Sequence, residues 1–397
     1  VILQTACDLH KFSRPVRQRD LDSIVERPER TRAATIGILV ALARLQHSQS
    51  PHFDVQHCSR RGWLGDHAVE AVHGYVYPQD LLKLSREAAD RLARGELEVP
   101  EGYPSGDLYL GPASLDALNG CLGAVYDAID ALYVSSSPYD RCHVCIRPPG
   151  HHAAETAPSG FCWLNNVHVA IAYARERYGV RRSVILDFDL HHGDGSQEIA
   201  WKLNETTPDS IGYYSIHDIR SFPCELGDIA KIREASVSIS AHGHNIHNVH
   251  IEPWGSQAEF DEIYERAYST IFEKAAAFLA PAQERGEATL VCISAGYDAS
   301  EHENPNMQRH VANVPTSFYQ RFTEDAVKLA KKFANGKVLS VMEGGYGDRA
   351  IISAAGSHLL GLADCPASMD RAEMQSWFNL DNLSLIEKTF PRKQRAR

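Results

Sequence analysis

Residues 184–196, Val-Ile-Leu-Asp-Phe-Asp-Leu-His-His-Gly-Asp-Gly-Ser, constrain the fold more than any other stretch of the chain. Val184-Ile185-Leu186 is the kind of short apolar run that forms a strand buried on both faces. The next eight residues carry three carboxylates (Asp187, Asp189, Asp194) and two imidazoles (His191, His192), and a glycine pair opens the backbone into a loop. Asp187, Asp189 and His191 are spaced two apart, so on an extended chain their side chains leave the same face. A strand ending in packed charge is costly unless the charges are paired or hold a cation. The chemistry is expected here.

The rest of the chain alternates strands with helices. Strands are expected at 142–146, 211–216, 236–240, 289–294 and 338–342. Helices are expected at 28–46, 81–94, 112–134, 163–178, 259–279, 317–334 and 350–360, and a Gly/Pro-rich loop at 99–111. That alternation predicts an α/β fold, a central, mainly parallel sheet with helices on both faces. With 397 residues, 44% of them apolar, and no internal repeat, one undivided domain over 1–397 is expected. Its core runs from about 26 to 361, and 362–397 form a C-terminal extension ending in the basic run Pro-Arg-Lys-Gln-Arg-Ala-Arg, read as a solvated tail.

A net charge of −11 argues against nucleic-acid binding and suits a basic partner. No apolar run is long enough to span a membrane. The N-terminus lacks a signal-peptide pattern and starts at Val1, as a trimmed chain would. Nine scattered cysteines read as buried free thiols in a reducing compartment, cytosol or nucleus. Cys142 and Cys145 form an isolated C-x-x-C and are read as part of a strand.

Four expected strand ends carry unusual residues: Gly150-His151-His152, Asp187 to Asp194, Ser294-Ala-Gly-Tyr-Asp298, and Met342-Glu-Gly-Gly-Tyr346-Gly. Ligands of a parallel sheet bind at its carboxyl ends, so these loops should converge. Asp189, His191 and Asp298 offer two oxygens and one nitrogen to a divalent ion, leaving a position open for water. Zinc is favoured, and ferrous iron also suits the donor set. Alone, Asp298 would read as a helix N-cap. His151 and His152, with Asp187 and Asp194 as orienting carboxylates, have the composition of an acid–base pair. Tyr346 follows two glycines, and its hydroxyl could donate to an oxyanion. Phe161 and Phe222 would suit the two walls of a slot for an aliphatic chain. His242, His244, His247 and His250 are read as a loop after the strand at 236–240, not as a second metal site.

Together these motifs resemble the zinc-dependent histone deacetylase family, of the arginase–deacetylase fold, from about Glu26-Arg-Pro-Glu-Arg30 to Leu360. Arg147-Pro-Pro-Gly-His-His, Pro-Ser-Gly-Phe-Cys, Asp-Phe-Asp-Leu-His-His-Gly-Asp-Gly, Ser-Ala-Gly-Tyr-Asp and Glu-Gly-Gly-Tyr occur in the family's order. The Pro-Pro-Gly-His-His and Glu-Gly-Gly forms are similar to class II. The run Ser215-Ile-His-Asp-Ile-Arg-Ser-Phe-Pro-Cys-Glu resembles fungal deacetylases of the Hos3 type. The resemblance implies a three-layer domain that removes acetyl groups from lysine in histones and other proteins. It implies Asp189, His191 and Asp298 as ligands of one zinc ion, and His151 and His152 as a dyad backed by Asp187 and Asp194, with His152 chosen as general base. It makes Tyr346 the oxyanion donor, Gly160, Phe161 and Phe222 the tunnel lining, and Asp107 the rim residue that holds the substrate backbone. A structural potassium ion on the backbone carbonyls of Asp187, Asp189 and His191, near Ser215, is implied as well. So are acetylated histone tails and a corepressor complex as partners, and the nucleus or cytoplasm as location.

Cys224-Glu225 and Asp218-Ile219 depart from the pattern where the tunnel mouth is expected, which bears on substrate choice. The related arginases hold two manganese ions through Asp-x-His-x-Asp; here position 193 is Gly, which favours one ion. Two rival readings follow. One is an acetylpolyamine amidohydrolase, with Glu301 and Glu303 as an acidic gate. The other is a catalytically silent acetyl-lysine-binding scaffold, against which the full ligand set and Tyr346 argue.

Overall fold

The computed structural model describes residues 1–21, 23–45, 53–363 and 371–390. The basic run at 391–397 lies outside the described residues. Among the described residues nine strands form one sheet: β1 (Ile2–Leu3), β2 (Gln56–His57), β3 (Arg141–Cys145), β4 (Arg182–Asp187), β5 (Ile211–His217), β6 (Ser238–Ala241), β7 (His244–His250), β8 (Thr289–Ala295) and β9 (Val338–Met342). Their order is β2-β1-β3-β9-β8-β4-β5-β7-β6, and every pairing is parallel except β6 with β7. Sequence alternation separates the two faces. Ile185, Tyr213, Cys292 and Leu339 pack against the helices Ser114–Tyr133 and Asn166–Tyr178. Val184, Leu186, Val291, Ile293 and Val338 pack on the other side, against Glu29–Leu45, Thr270–Glu284, Thr316–Phe333 and Asp348–Ala363. The result is three layers.

Segments at both ends of the chain pack onto this unit. β1 pairs with β3, and Trp377, Phe378 and Leu383 are buried. Cys142 and Cys145 lie three apart on a strand and enter opposite core layers, so they cannot share an ion. The eight described cysteines are all buried and unpaired. No helix among the described residues is long and apolar enough to cross a membrane.

Two expectations need correction. The histidine-rich stretch is not a loop: His244–His250 is a strand, joined to β6 by a tight turn in which His242 and Gly243 both have positive φ. Beneath the histidine composition lies a period of two, with His244, Ile246 and Asn248 buried in turn. These histidines also have separate partners: His244 stacks on Trp201, His247 meets Ser238 and Thr270, and His250 meets the Ala235 carbonyl. The single helix expected at 259–279 instead runs Gln257–Ile263 and Thr270–Glu284, joined through a π-turn at Tyr264–Tyr268. That turn inserts Tyr264 and Tyr268 into the core beside Phe318.

Candidate active site

The strands β3, β9, β8 and β4 are consecutive neighbours in the sheet, so the loops after their carboxyl ends emerge side by side. These are the four loops whose residues stand out in the sequence, although they lie up to two hundred residues apart. The loop after β4 is shorter than expected, because a helix already begins at Asp194 (Asp194–Thr206). A carboxylate suits that first turn, where the helix dipole is positive.

Asp189, His191 and Asp298 converge, with one donor atom from each lying within 4.8 Å of the others. Both carboxylates are fully buried, and His191 Nδ1 lies 2.9 Å from Asp298 Oδ2 and 3.2 Å from Asp189 Oδ1. Backbone N–H groups hold the acids in place, Gly344 donating to Asp189 Oδ2 at 2.8 Å and Leu190 to Asp298 Oδ1 at 2.9 Å. Burial and the neighbouring Asp189 charge raise the pKa of Asp298. Two carboxylates crowded in this way ionise together readily only with a cation between them. The donor set therefore fits one divalent ion. Position 193 could not carry a further ligand without rearrangement, because a side chain there would run into Asp187 Oδ2, the Tyr213 hydroxyl and His151.

The crowding also makes Gly296 indispensable, because a Cβ there would take the place of Asp189 Oδ2. Gly296→Ala is expected to lower metal affinity by about 10–100-fold while leaving circular dichroism unchanged. Elemental analysis after dialysis measures the loss, and full retention of metal would contradict this packing.

His151 Nδ1 lies 3.2 Å from Asp187 Oδ2, and His152 Nδ1 lies 2.9 Å from Asp194 Oδ1. The two rings are 4.1 Å apart between centroids but sit in different fields. Burial disfavours charge on His151, yet Asp189 and Asp187 outweigh it and lift its pKa well above the usual imidazole range. Burial and the His151 charge push His152 down to about 4, leaving it neutral at neutral pH.

A pocket of about 360 Å³ is lined by His152, His191, Gly160, Phe161, Phe222, Tyr346 and Asp107. His151 is not in that lining. Gly160 and Phe161 have φ of +49° and +67°, a tight turn at whose end the Phe161 ring stands 5.6 Å from Tyr346. The Phe222 ring is edge-on to His152 at 4.9 Å. Of the departing residues, Asp218 and Cys224 are buried, while Glu225 lines the pocket and pairs with exposed Arg309 at 2.9 Å. The acidic gate imagined from Glu301 and Glu303 does not form. Glu301 caps the helix Thr316–Phe333 through the Thr316 N–H at 2.7 Å, and Glu303 is buried against the backbone.

Several residues around the site carry no obvious sign in the sequence. Lys231 Nζ lies 3.1 Å from Asp194 Oδ2, on the side away from His152, a contact spanning 37 residues with no motif to announce it. Glu343 accepts from the N–H groups of Gly150 and His151 at 2.6 and 3.1 Å; its place in Glu-Gly-Gly-Tyr was the available clue. Glu26, Arg30 and Arg147, all 0% exposed, form an ion cluster joined by the Tyr109 hydroxyl. From it Arg30 reaches the carbonyls of Glu343 and Gly345, and its guanidinium lies 4.9 Å from the Tyr346 ring.

Residues 25–362 match the histone deacetylase domain. The chain belongs to the histone deacetylase family. Among curated relatives, histone deacetylase HOS3 of Saccharomyces cerevisiae is 43% identical over 397 residues, covering 91% of this chain and 56% of that protein. Polyamine deacetylase HDAC10 of Homo sapiens is 28% identical over 330 residues, covering 82% of this chain and 43% of its own length. The chain thus spans about half the length of these relatives. Among solved structures, the HDA15 HD domain superposes with a TM-score of 0.65 at 23% identity, covering 98% of this chain and 95% of that one. That likeness shows the shared fold.

Proposed function

We propose that this deacetylase-family chain, over 1–397 as one catalytic domain, hydrolyses the acetyl amide of N6-acetyl-lysine in histones and other proteins. The observation that carries the reading is the Asp189–His191–Asp298 cluster beside a pocket of about 360 Å³ lined by His152, His191 and Tyr346. Zinc held by these three residues would supply Lewis acidity, lowering the pKa of a water from about 16 to roughly 7 and polarising a carbonyl.

The remaining steps fall to the chain's own side chains. Phe161 and Phe222 flank the aliphatic stem of the lysine, Gly160 leaves room for it, and Asp107 accepts from the substrate backbone. His152, neutral and oriented by Asp194, takes a proton from the attacking water and delivers it to the leaving amine. His151, held by Asp187, completes the dyad with its ring 4.1 Å from that of His152. The Tyr346 hydroxyl donates to the carbonyl oxygen as it becomes an oxyanion. Free lysine and acetate result. A structural potassium ion near Asp187, Asp189, His191 and Ser215 belongs to this reading through family resemblance alone. So do a corepressor complex and a nuclear or cytoplasmic location. The net charge of −11 supports a basic partner such as a histone tail.

One preparation tests the proposal. The chain should hold about one zinc per molecule and turn over an acetyl-lysine peptide faster than acetylspermidine; a strong polyamine preference would overturn the substrate assignment. Asp298→Ala should lose both the metal and the activity. Full zinc occupancy in that variant would move the ligand elsewhere.

A further inference from the structure

Glu303 is the residue whose position departs most from its sequence reading. It is 6% exposed and its carboxylate is turned inward. Its Oε2 accepts from the Tyr346 N–H at 2.8 Å, and its Oε1 from Gly347 and Asn304 at 2.6 and 2.7 Å. Its own N–H donates to the Ser300 carbonyl at 2.9 Å, which braces it within the loop after β8. From the other side, the Tyr346 carbonyl accepts from Arg27 at 3.1 Å and the Gly345 carbonyl from Arg30 at 2.5 Å. Gly345 itself turns through φ +106°. The peptide groups on both sides of the Tyr346 Cα are thereby tied down.

We infer that Glu303 is a positioning residue for Tyr346, a role that rests on the oxyanion function proposed above. A carboxylate suits the task because it accepts on both oxygens. The two consecutive N–H groups of Tyr346 and Gly347 are received by separate atoms of one side chain. A glutamine would accept at one atom and press an NH₂ against the N–H at the other, leaving a buried donor unpaired. The clamp crosses from the loop after β8, which carries Asp298, to the loop after β9, which carries Tyr346. It therefore sets the position of the donor hydroxyl relative to the metal-ligand cluster. A displacement of about 1 Å between such groups costs up to about a hundredfold in rate.

The test is a double-mutant cycle on the full chain. Glu303→Gln is expected to lower kcat on an acetyl-lysine peptide by about ten- to a hundredfold, with KM within about twofold and zinc content unchanged. In a Tyr346→Phe background the same substitution should cost less than about twofold, because the hydroxyl it positions is gone. Glu303→Asp, which keeps both oxygens one methylene short, should recover part of kcat. It also serves in the same cycle if the glutamine variant does not fold. Equal losses in both backgrounds, or an unchanged kcat, would overturn the role of Glu303 alone. An inactive wild-type chain would overturn the deacetylase reading and this role together.

Discussion

Tyr346→Phe should lower kcat/KM on an acetyl-lysine peptide by about 10²–10³-fold, the loss expected for an oxyanion donor, while zinc content and thermal stability hold. The ring is already fixed on several sides. Phe161 stands edge-on to it at 5.6 Å, and the Arg30 guanidinium lies 4.9 Å from its centroid. Removing one oxygen therefore leaves the packing intact. Burial raises the hydroxyl's pKa well above the usual value, and Arg30, which pulls it down, does not overcome burial. The group thus keeps its proton at neutral pH, as the proposed donor must. Measuring turnover and metal on the same preparation separates the chemical role from a structural one. Unchanged turnover would refute it.

The second large effect concerns stability. Glu26→Gln removes the carboxylate that pairs with both Arg30 and Arg147, leaving two buried guanidiniums without that counter-charge. Arg147 Nε lies 2.7 Å from Glu26 Oε1, and Arg30 Nη1 lies 3.0 Å from the same atom. Breaking a buried pair from one side costs about 3–5 kcal/mol, and the midpoint of chemical denaturation at pH 7 should report it. A loss below about 1 kcal/mol would mean that water reaches the cluster. The pH dependence has a definite sign. Burial alone would raise the Glu26 pKa, but Arg147 and Arg30 outweigh it and hold the folded-state value far below the ordinary 4.5. The stabilisation is therefore complete above about pH 4.5 and fades as the solution becomes more acid. The gap between wild type and variant should narrow in the same direction.

Much of the site was legible because its residues sit where a regular pattern stops. Val184 to Leu186 is an apolar run ending at Asp187, Leu290 to Ile293 is one followed five residues on by Asp298, and a parallel sheet brings such ends together. The same reasoning failed at His244–His250, where residue type concealed a period of two. It failed again at Tyr264–Tyr268, where one extra residue per turn leaves no trace in composition. Glu303 was misplaced for a related reason. An acid two turns of loop beyond a ligand looks solvent-facing until the backbone N–H groups of a distant strand end are seen to need an acceptor. Lys231 and Glu26 act through contacts that only the folded chain creates.

The place of β9 in the sheet has a consequence for synthesis. The last of the described strands in chain order, Val338–Met342, inserts between β3 and β8 in the middle of the sheet. Until it emerges, a nascent polypeptide has two half-sheets, each with an open hydrogen-bonding edge, one of them rich in Val, Ile and Leu. Such edges invite pairing with other chains. A transcript truncated ahead of that strand would therefore encode an aggregation-prone product.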